Sequence, residues 1–574
     1  MQRAEKHLER RQIPASASGL QGLHPLLARL YTARGIESLE EVRYQLSDLA
    51  DYRLLKDIDA AVDRLEVALR DEQSVLIVGD YDADGATSTA LALRCLRKFG
   101  ASRLDYLIPN RFDYGYGLTP ELLDVVADDP PALILTVDNG ISSREGVARA
   151  RALGIDVIVT DHHLPPEALP AACAIVNPNQ PGDTFPSKAL AGVGVVFYLM
   201  AALRQRLRVS GWFDDRGLEE PVMADFLDLV ALGTVADVVP LDRNNRILVE
   251  QGLRRIRSGR ACAGLLALLR IAGKNHRKTV ATDLGFVVGP RLNAAGRLDD
   301  MSIGIECLLT DDAPAADALA AELDSFNRER RQVEADMQLE AERLCEQVRL
   351  EDDGPVWGLS LYSDVWHEGV VGLVASRLKE RFHRPVIAFA PTADGDLCKG
   401  SGRSIPGIHL RDVLARIDTR APHLIEKFGG HAMAAGLSLR RAHLDEFQHC
   451  FIEAIRDSAP PDCFRAIVVS DGEIAAGDLS IHTAHLLRNC GPWGQQFPEP
   501  VFDGRFTVIG RQTLRGGYTR FRLSVTGAPP VDALLFEVRD DLPGPGETIH
   551  IAYQLTLNEY EGHERVQLLI QAIF

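Results

Sequence analysis

Three apolar runs, Val75-Leu76-Ile77-Val78, Leu133-Ile134-Leu135-Thr136-Val137 and Val157-Ile158-Val159, are each followed closely by acidic residues, and segments of helical length lie between them. Short runs rich in Val, Ile and Leu, bounded by turn residues, have the length and composition of buried strands. Strands alternating with helices of about ten or more residues imply right-handed βαβ units and a parallel sheet. The pattern predicts strands at 75–79, 104–108, 133–137, 156–160 and 174–177, and helices from about Thr87 to Phe99, from Pro120, and from Ser143 to Leu153, where Gly154 stops the last. In such doubly wound sheets ligands collect at the carboxyl ends of the strands, which is where the acids fall.

From Asp312 to Arg349 the chain has no Gly and only Pro314 near its start, with Leu319, Leu323, Phe326, Val333, Met337, Leu344 and Val348 at heptad-like intervals. A single helix there would run roughly 50 Å at 1.5 Å per residue and is expected to link two domains. A second α/β pattern follows: strand 356–362, helix about 369–381 and strand 385–390, ending near Pro460. The remainder alternates apolar and polar residues over short strands with Gly-rich turns, as a small barrel does. The expected fold is therefore α/β, with an N-terminal helical segment at 1–70, a parallel-sheet catalytic domain at 71–311, a connecting helix at 312–350, a second α/β domain at 351–460 and an OB-like barrel at 461–574.

Hydrophobic content of 46% with 6% aromatics suits soluble globular domains. The longest strongly apolar run, Val193 to Leu203, is about half the ~20 residues that cross a bilayer, and the N-terminus lacks a signal-peptide pattern. No membrane role and a cytoplasmic location are expected. Nine Cys without a Cys-x-x-Cys pair read as reduced thiols. A net charge of -18 argues against a polyanionic partner, yet the charge is unevenly spread. Between Gln251 and Thr282 stand eight Lys or Arg and no acid. Between Gly504 and Val531 stand Arg505, Arg511, Arg515, Arg520 and Arg522, with Phe506, Tyr518 and Phe521 among them and again no acid. Cations interleaved with rings suit a single-stranded nucleic acid, whose bases stack while its backbone tracks the charge. Solvated faces balanced by acids elsewhere explain either stretch, taken alone, equally well.

The chemistry lies in Gly79-Asp80-Tyr81-Asp82-Ala83-Asp84-Gly85 and Thr160-Asp161-His162-His163. The first also opens like an EF-hand, but the twelfth position counted from Asp80 is Leu91 rather than Glu, and a strand precedes it. Capping of the following helix by Asp84 explains one of its carboxylates and leaves the others unexplained. Asp138 ends the third strand, and Asp237 is a charge inside the apolar segment Ala231 to Pro240, where it needs a partner. Asp82, Asp84, Asp138, His162 and Asp237 supply four carboxylates and an imidazole, enough for two divalent ions if one carboxylate bridges. Such a set suits Mn²⁺ or Mg²⁺. Two such ions, ~3.5–4 Å apart, are suited to hydrolysis of a phosphoester by in-line displacement.

Gly-Asp-Tyr-Asp-Ala-Asp-Gly, Val-Asp-Asn-Gly, Asp-His-His and Gly-Thr-Val-Ala-Asp-Val-Val-Pro, in that order, resemble the four motifs of the DHH phosphoesterase superfamily. Downstream, Trp366 to Gly372, Ser401-Gly402-Arg403-Ser404 and Gly429 to Gly436 resemble its associated DHHA1 domain, and the whole chain is similar to the superfamily's 5′→3′ exonucleases of single-stranded DNA. The resemblance implies one metal on Asp82 and Asp138 and the other on Asp84, Asp138, His162 and Asp237, with Asp138 bridging. It gives Asp80 and His163 supporting or phosphate-orienting work. It further implies a pocket for a terminal 5′-phosphate at Arg111, Ser401, Arg403 and His431. Arg291 and Arg297 are added phosphate candidates, for which a structural ion pair is an equal reading. Arg511, Arg515, Tyr518 and Arg520 would extend the track over the barrel. Single-strand-binding protein and a helicase are implied as partners, the enzyme acting as a monomer in recombination and repair. Two alternatives stand beside this reading: a related hydrolase of cyclic dinucleotides or short oligonucleotides, which has little use for a third domain, and a metal-free DNA-binding scaffold, which would have lost ligands that are all present here.

Overall fold

The computed structural model describes residues 4–14, 18–110, 116–351, 356–392, 395–537, 539, 541–560 and 562–574. The expected strands form an all-parallel sheet in the order Leu104–Leu107, Val75–Val78, Leu133–Val137, Asp156–Thr160 and Ala174–Val176. Every residue of Val75–Val78 and of Leu133–Val137 is buried, as the unbroken apolar runs require. Chain order reverses between these two strands, so the crevice beyond their carboxyl ends is a topological switch point. Asn139 sits there at full burial and donates to Val78 O at 3.0 Å and to Val137 O at 2.9 Å, stitching the two strand ends together. Helices Ala83–Lys98, Gly192–Val209 and Leu227–Ala236 pack together beside the sheet, the last of them buried over nearly its whole length.

By contacts the chain divides into two compact units: Gln12–Asn327 with His482–Pro500, and Arg328–Ile481 with Val501–Phe574 and the residues up to Arg11. Two stretches thus depart from the sequence expectation. The span 1–70 was expected to be helical, but Lys6–Arg10 is a strand paired in parallel with Ala466–Ser470. Arg10 donates from Nε and Nη2 to Asp503, at 3.0 and 2.7 Å, and that fully buried carboxylate also accepts from Ser470 Oγ. A five-residue strand of mostly charged residues carries no periodic signal, and only the buried acid it neutralises explains its position. The span 461–574 was expected to be one domain, but residues 482–500 belong to the unit that holds the parallel sheet. There Trp493 and Phe497 stack at 5.1 Å, both lie near Tyr31, and Arg246 covers Phe497 at 4.4 Å while Arg34 covers Trp493 at 5.3 Å.

The second unit holds a five-stranded mixed sheet ordered Lys427–Gly430, Ala434–Arg440, Leu397–Arg403, Val386–Pro391 and Leu359–Tyr362. Its barrel is closed, in the order Phe502–Thr513, Thr519–Ser524, Val531–Leu535, His563–Ile573 and Thr548–Tyr560. The long helix is continuous over Ala313–Glu351, 39 residues. No described helix is long and apolar enough to cross a membrane.

Candidate metal centre

The first acid loop lies between a strand end and a helix start, the Asp161 to His163 loop between two strands, and Asp237 caps the C-terminus of helix Leu227–Ala236. Asp82 caps helix Ala83–Lys98, its Oδ1 accepting from Asp84 N at 2.9 Å and Gly85 N at 3.0 Å. The cap is therefore Asp82, not Asp84, and the helix begins four residues earlier than the apolar pattern suggested. Asp84 is instead turned to a second helix N-terminus: Gly192 N and Val193 N donate to its two oxygens at 2.6 and 2.9 Å. Two helix starts thus aim N–H groups and positive dipole ends at one cluster of carboxylates. Asp138 stands at φ 62°, a left-handed position that Asp tolerates better than most residues. A Cβ on Gly192 would lie 2.6 Å from an Asp138 carboxylate oxygen, so only glycine lets the second helix approach this closely.

The five residues expected to gather do so. His162 Nε2 lies 3.1 Å from Asp138 Oδ1, 3.5 Å from Asp237 Oδ2 and 4.0 Å from Asp84 Oδ2. Ligand atoms of Asp84, His162 and Asp237, of Asp80, Asp82 and Asp138, and of Asp138, His162 and His163 form three groups, each within 4.8 Å. Asp80 therefore stands among the carboxylates themselves. Burial pushes the carboxyls of Asp80, Asp138 and Asp237 well up, and neighbouring carboxylates push further. The same two causes raise Asp84 to about 7, although two backbone N–H groups pull the other way. Asp138 Oδ1 is buried and accepts no well-aligned hydrogen bond among the described residues, His162 Nε2 standing 3.1 Å away. An orphaned oxygen inside a set of mutually repelling carboxylates is a deficit of positive charge, which divalent cations favouring oxygen ligands fit.

His163 is set differently. Asp161, buried, accepts from its Nδ1 at 2.7 Å. Burial opposes a charged ring, but the hydrogen bond and charge of Asp161 outweigh it and raise His163 to about 9. Tyr116, which motif reading passed over, donates to Asp138 O at 3.2 Å and packs edge-on to the His163 ring at 5.8 Å. Asn293 was missed as well: its Oδ1 accepts from Ala83 N at 2.7 Å, tying the Gly289–Leu298 helix to the acid loop.

A consequence for stability follows from these carboxyls. Groups raised in the folded state keep protons that the unfolded chain releases near its ordinary value of about 4. Their contribution is full below that value and is lost as pH rises through the raised folded-state values, which for Asp84 means about 7. In chelator, the melting temperature should be lower at pH 8 than at pH 5.5, and Mn²⁺ should remove most of that difference. A metal-free profile that is flat or rises between those two pH values would contradict the charge deficit.

Ser401 and Arg403 lie on one face of Leu397–Arg403, with Arg403 Nη1 donating to Ser401 Oγ at 3.0 Å. Both meet the start of helix Val371–Phe382: a Cβ on Gly372 would come within 2.9 Å of Ser401 Oγ and of Arg403 Nη2. Guanidinium, hydroxyl and helix N-terminus are thereby brought together, groups whose chemistry suits an anion. His431 is exposed at the turn after Lys427–Gly430, an edge strand two places from Leu397–Arg403 in the same sheet. Arg111 lies outside the described residues. Arg291 is engaged with Asp324 at 2.9 Å and donates to Val287 O at 2.6 Å, the structural alternative of its two readings. Arg297 occupies the last turn of Gly289–Leu298. Trp366 is buried, with Nε1 donating to Glu340.

On the barrel, Arg515 and Arg520 are exposed, and Arg511 donates to the carbonyls of Leu542 and Pro543. Tyr518 lies 5.3 Å from the ring of Phe536, itself 59% exposed and missed in the sequence because it stands outside the basic stretch. At least five of the eight cations in the other basic stretch are paired: Arg254 and Arg257 with Glu250, Arg255 with Asp225, Arg270 with Asp317 and Lys274 with Asp283. Its lack of acid ends at its own borders, where Glu250 and Asp283 stand, and Asp225 and Asp317 add counter-charge from other segments.

A parallel sheet that gathers carboxylates and imidazole at its switch point, accompanied by a second α/β sheet and a closed barrel, defines a metal-dependent phosphoesterase of the DHH type. The chain matches the DHH family N-terminal domain over residues 74–234, the DHHA1 domain over 356–457 and the RecJ OB domain over 470–572. It is 53% identical over 569 residues to the single-stranded-DNA-specific exonuclease RecJ of Dickeya dadantii, covering 98% of each chain. It is 50% identical to the RecJ of Escherichia coli, covering 99% of each. The crystal structure of RecJ from Thermus thermophilus in complex with Mn²⁺ superposes with a TM-score of 0.80 at 30% identity, over 100% of this chain and 80% of that one. A Mg²⁺ complex of the same protein gives 0.75 at 29%, over 100% of this chain and 78% of that one. The chain belongs to the RecJ family of single-stranded-DNA-specific exonucleases.

Proposed function

We propose that the chain shortens single-stranded DNA from its 5′ end, releasing 5′-mononucleotides, in recombination and repair. The observation that carries this is the convergence of Asp82, Asp84, Asp138, His162 and Asp237, drawn from distant segments, on one buried cluster in which carboxylates outnumber cationic groups. Asp82 and Asp138 would hold one Mn²⁺ or Mg²⁺, with Asp80 beside them, and Asp84, Asp138, His162 and Asp237 the other. Such ions supply a water nucleophile at neutral pH and neutralise charge developing on phosphoryl oxygens. His163, with Nδ1 on Asp161, presents its other N–H to orient a phosphate oxygen. Ser401 and Arg403 would take a terminal 5′-phosphate, the guanidinium fork matching its oxygens. His431 and Arg111 are assigned to phosphate by the family pattern, and Arg297 is a further phosphate candidate beside them. Arg511, Arg515, Tyr518 and Arg520, with Phe536, would track the strand over the barrel by charge and stacking. The remaining proposals, a monomer acting in the cytoplasm beside single-strand-binding protein and a helicase, are supported by family resemblance.

The test is digestion of a 3′-labelled, 5′-phosphorylated single strand with Mn²⁺, beside its duplex and RNA counterparts and a dinucleotide. Progressive loss from the 5′ end, with 5′-mononucleotides as product and the duplex spared, is the expected result. Cleavage of the dinucleotide alone would replace the proposal with that of a small-phosphoester hydrolase.

A further inference from the structure

His162 and His163 are held from both sides of their backbone. On the N–H side, Asp161 Oδ1 accepts from His162 N at 2.7 Å and from His163 N at 3.0 Å. On the carbonyl side stand two residues that neither motif reading nor the cation geometry had singled out. Asn179 Nδ2 donates to His162 O at 2.7 Å, and Asn177 Nδ2 donates to His163 O at 2.9 Å. The two asparagines are themselves joined, Asn179 N donating to Asn177 Oδ1 at 2.7 Å, and Asn179 Nδ2 reaches Lys188 O at 3.2 Å. Asn177 is fully buried. Both follow the strand Ala174–Val176, the parallel neighbour of the strand that ends in the histidines.

Carbonyls at a strand end need an acceptor's partner, and solvent or a turn N–H usually supplies it. Here two successive carbonyls each take a side-chain amide from the same short turn, while one carboxylate takes the two N–H groups. Peptide planes pinned at both edges fix the Cα–Cβ directions, and with them where each imidazole points. Small errors there are magnified along the ring, and a ligand displaced by about 1 Å is no longer a ligand.

We propose that Asn177 and Asn179 are positioning residues of the cation site, acting through the carbonyls of His163 and His162. The proposal rests on the two-cation reading of the carboxylate cluster and adds to it the turn that aims its histidines. Partners that orient a ligand in this way are typically worth about 10- to 100-fold in metal affinity.

Asn179, only half-buried, is the residue to change. Asn179→Asp keeps the shape but sets an oxygen against His162 O, whereas Asn179→Gln keeps an amide donor. The full chain of each would be titrated with Mn²⁺ by calorimetry, with melting temperature measured in chelator and kcat and KM for a 5′-phosphorylated strand measured at limiting and saturating Mn²⁺. N179D is expected to bind Mn²⁺ at least about tenfold more weakly. Its KM for the strand should be unchanged, and its turnover should be lost at limiting metal and largely recovered at saturation. N179Q should fall between N179D and the parent. A merely structural role would lower the melting temperature and leave Mn²⁺ affinity at the parent value, which overturns the proposal. Failure of the parent chain itself to bind Mn²⁺ would bring down the cation reading, and the positioning role with it.

Discussion

Asp138→Asn should abolish strand hydrolysis and, in the same protein, raise the melting temperature of the metal-free fold. The first effect follows from its place: Asp138 is the carboxylate shared by two of the three ligand groups and lies 3.1 Å from His162. Charge stabilisation by bound metal is worth several kcal/mol, and at about 1.36 kcal/mol per decade its loss lowers turnover on the order of a thousandfold. The second effect follows from the charge deficit. Burial and the neighbouring acids push Asp138 well up, so without cations its ionised form strains the fold. Each pKa unit of such a shift is about 1.36 kcal/mol, and a neutral amide removes it. Asn also suits the left-handed backbone at φ 62° as well as Asp does. Calorimetric melting in chelator at pH 8 and in Mn²⁺ would show the variant ahead of the parent in the first condition and behind it in the second. Turnover at the parent rate, or a lower melting temperature without metal, would refute the assignment.

Trp493→Ala should destabilise the unit that holds the catalytic sheet, although Trp493 lies far beyond that sheet in the chain. Its ring is 7% exposed, stacks on Phe497, faces Tyr31 and lies under Arg34. Truncating a buried Trp typically costs about 3–5 kcal/mol, through lost transfer energy and the cavity left behind. Hydrogen exchange would locate the effect: amides of Val75–Val78 and Leu133–Val137 should lose protection while those of the barrel strands keep theirs. Lost protection confined to residues 501–574 would show that 482–500 is an appendage of the barrel instead.

Of the two readings left open for 251–282, the ion pairs support faces balanced by acids, which composition along the chain could not choose for the reason Trp493 was invisible. Charge composition along a chain counts only neighbours in sequence, whereas Asp225 and Asp317 supply counter-charge from other segments, beside Glu250 and Asp283 at its two ends. The N-cap shifted from Asp84 to Asp82 on similar grounds. Either acid satisfies the local rule, and only the approach of Gly192 and Val193 decides that Asp84 serves the second helix.

Sequence alone determined the strands of the parallel sheet, the long helix, the presence of a C-terminal barrel and the carboxylates and imidazole that gather. Each of those is written locally, in the length of an apolar run, in an absence of Gly over tens of residues, in an acid standing within a few positions of a strand end or, for Asp237, in a charge inside an apolar segment. Only the tertiary structure decided that Val75–Val78 and Leu133–Val137 are neighbours, so that their acids share one crevice. It also decided that Gly192, Asn293, Asn177 and Asn179 shape the cluster, and that Lys6–Arg10 and 482–500 join units remote from them in sequence. These are single contacts across tens to hundreds of residues, and one hydrogen bond or one close approach leaves no periodicity along the chain from which to read it.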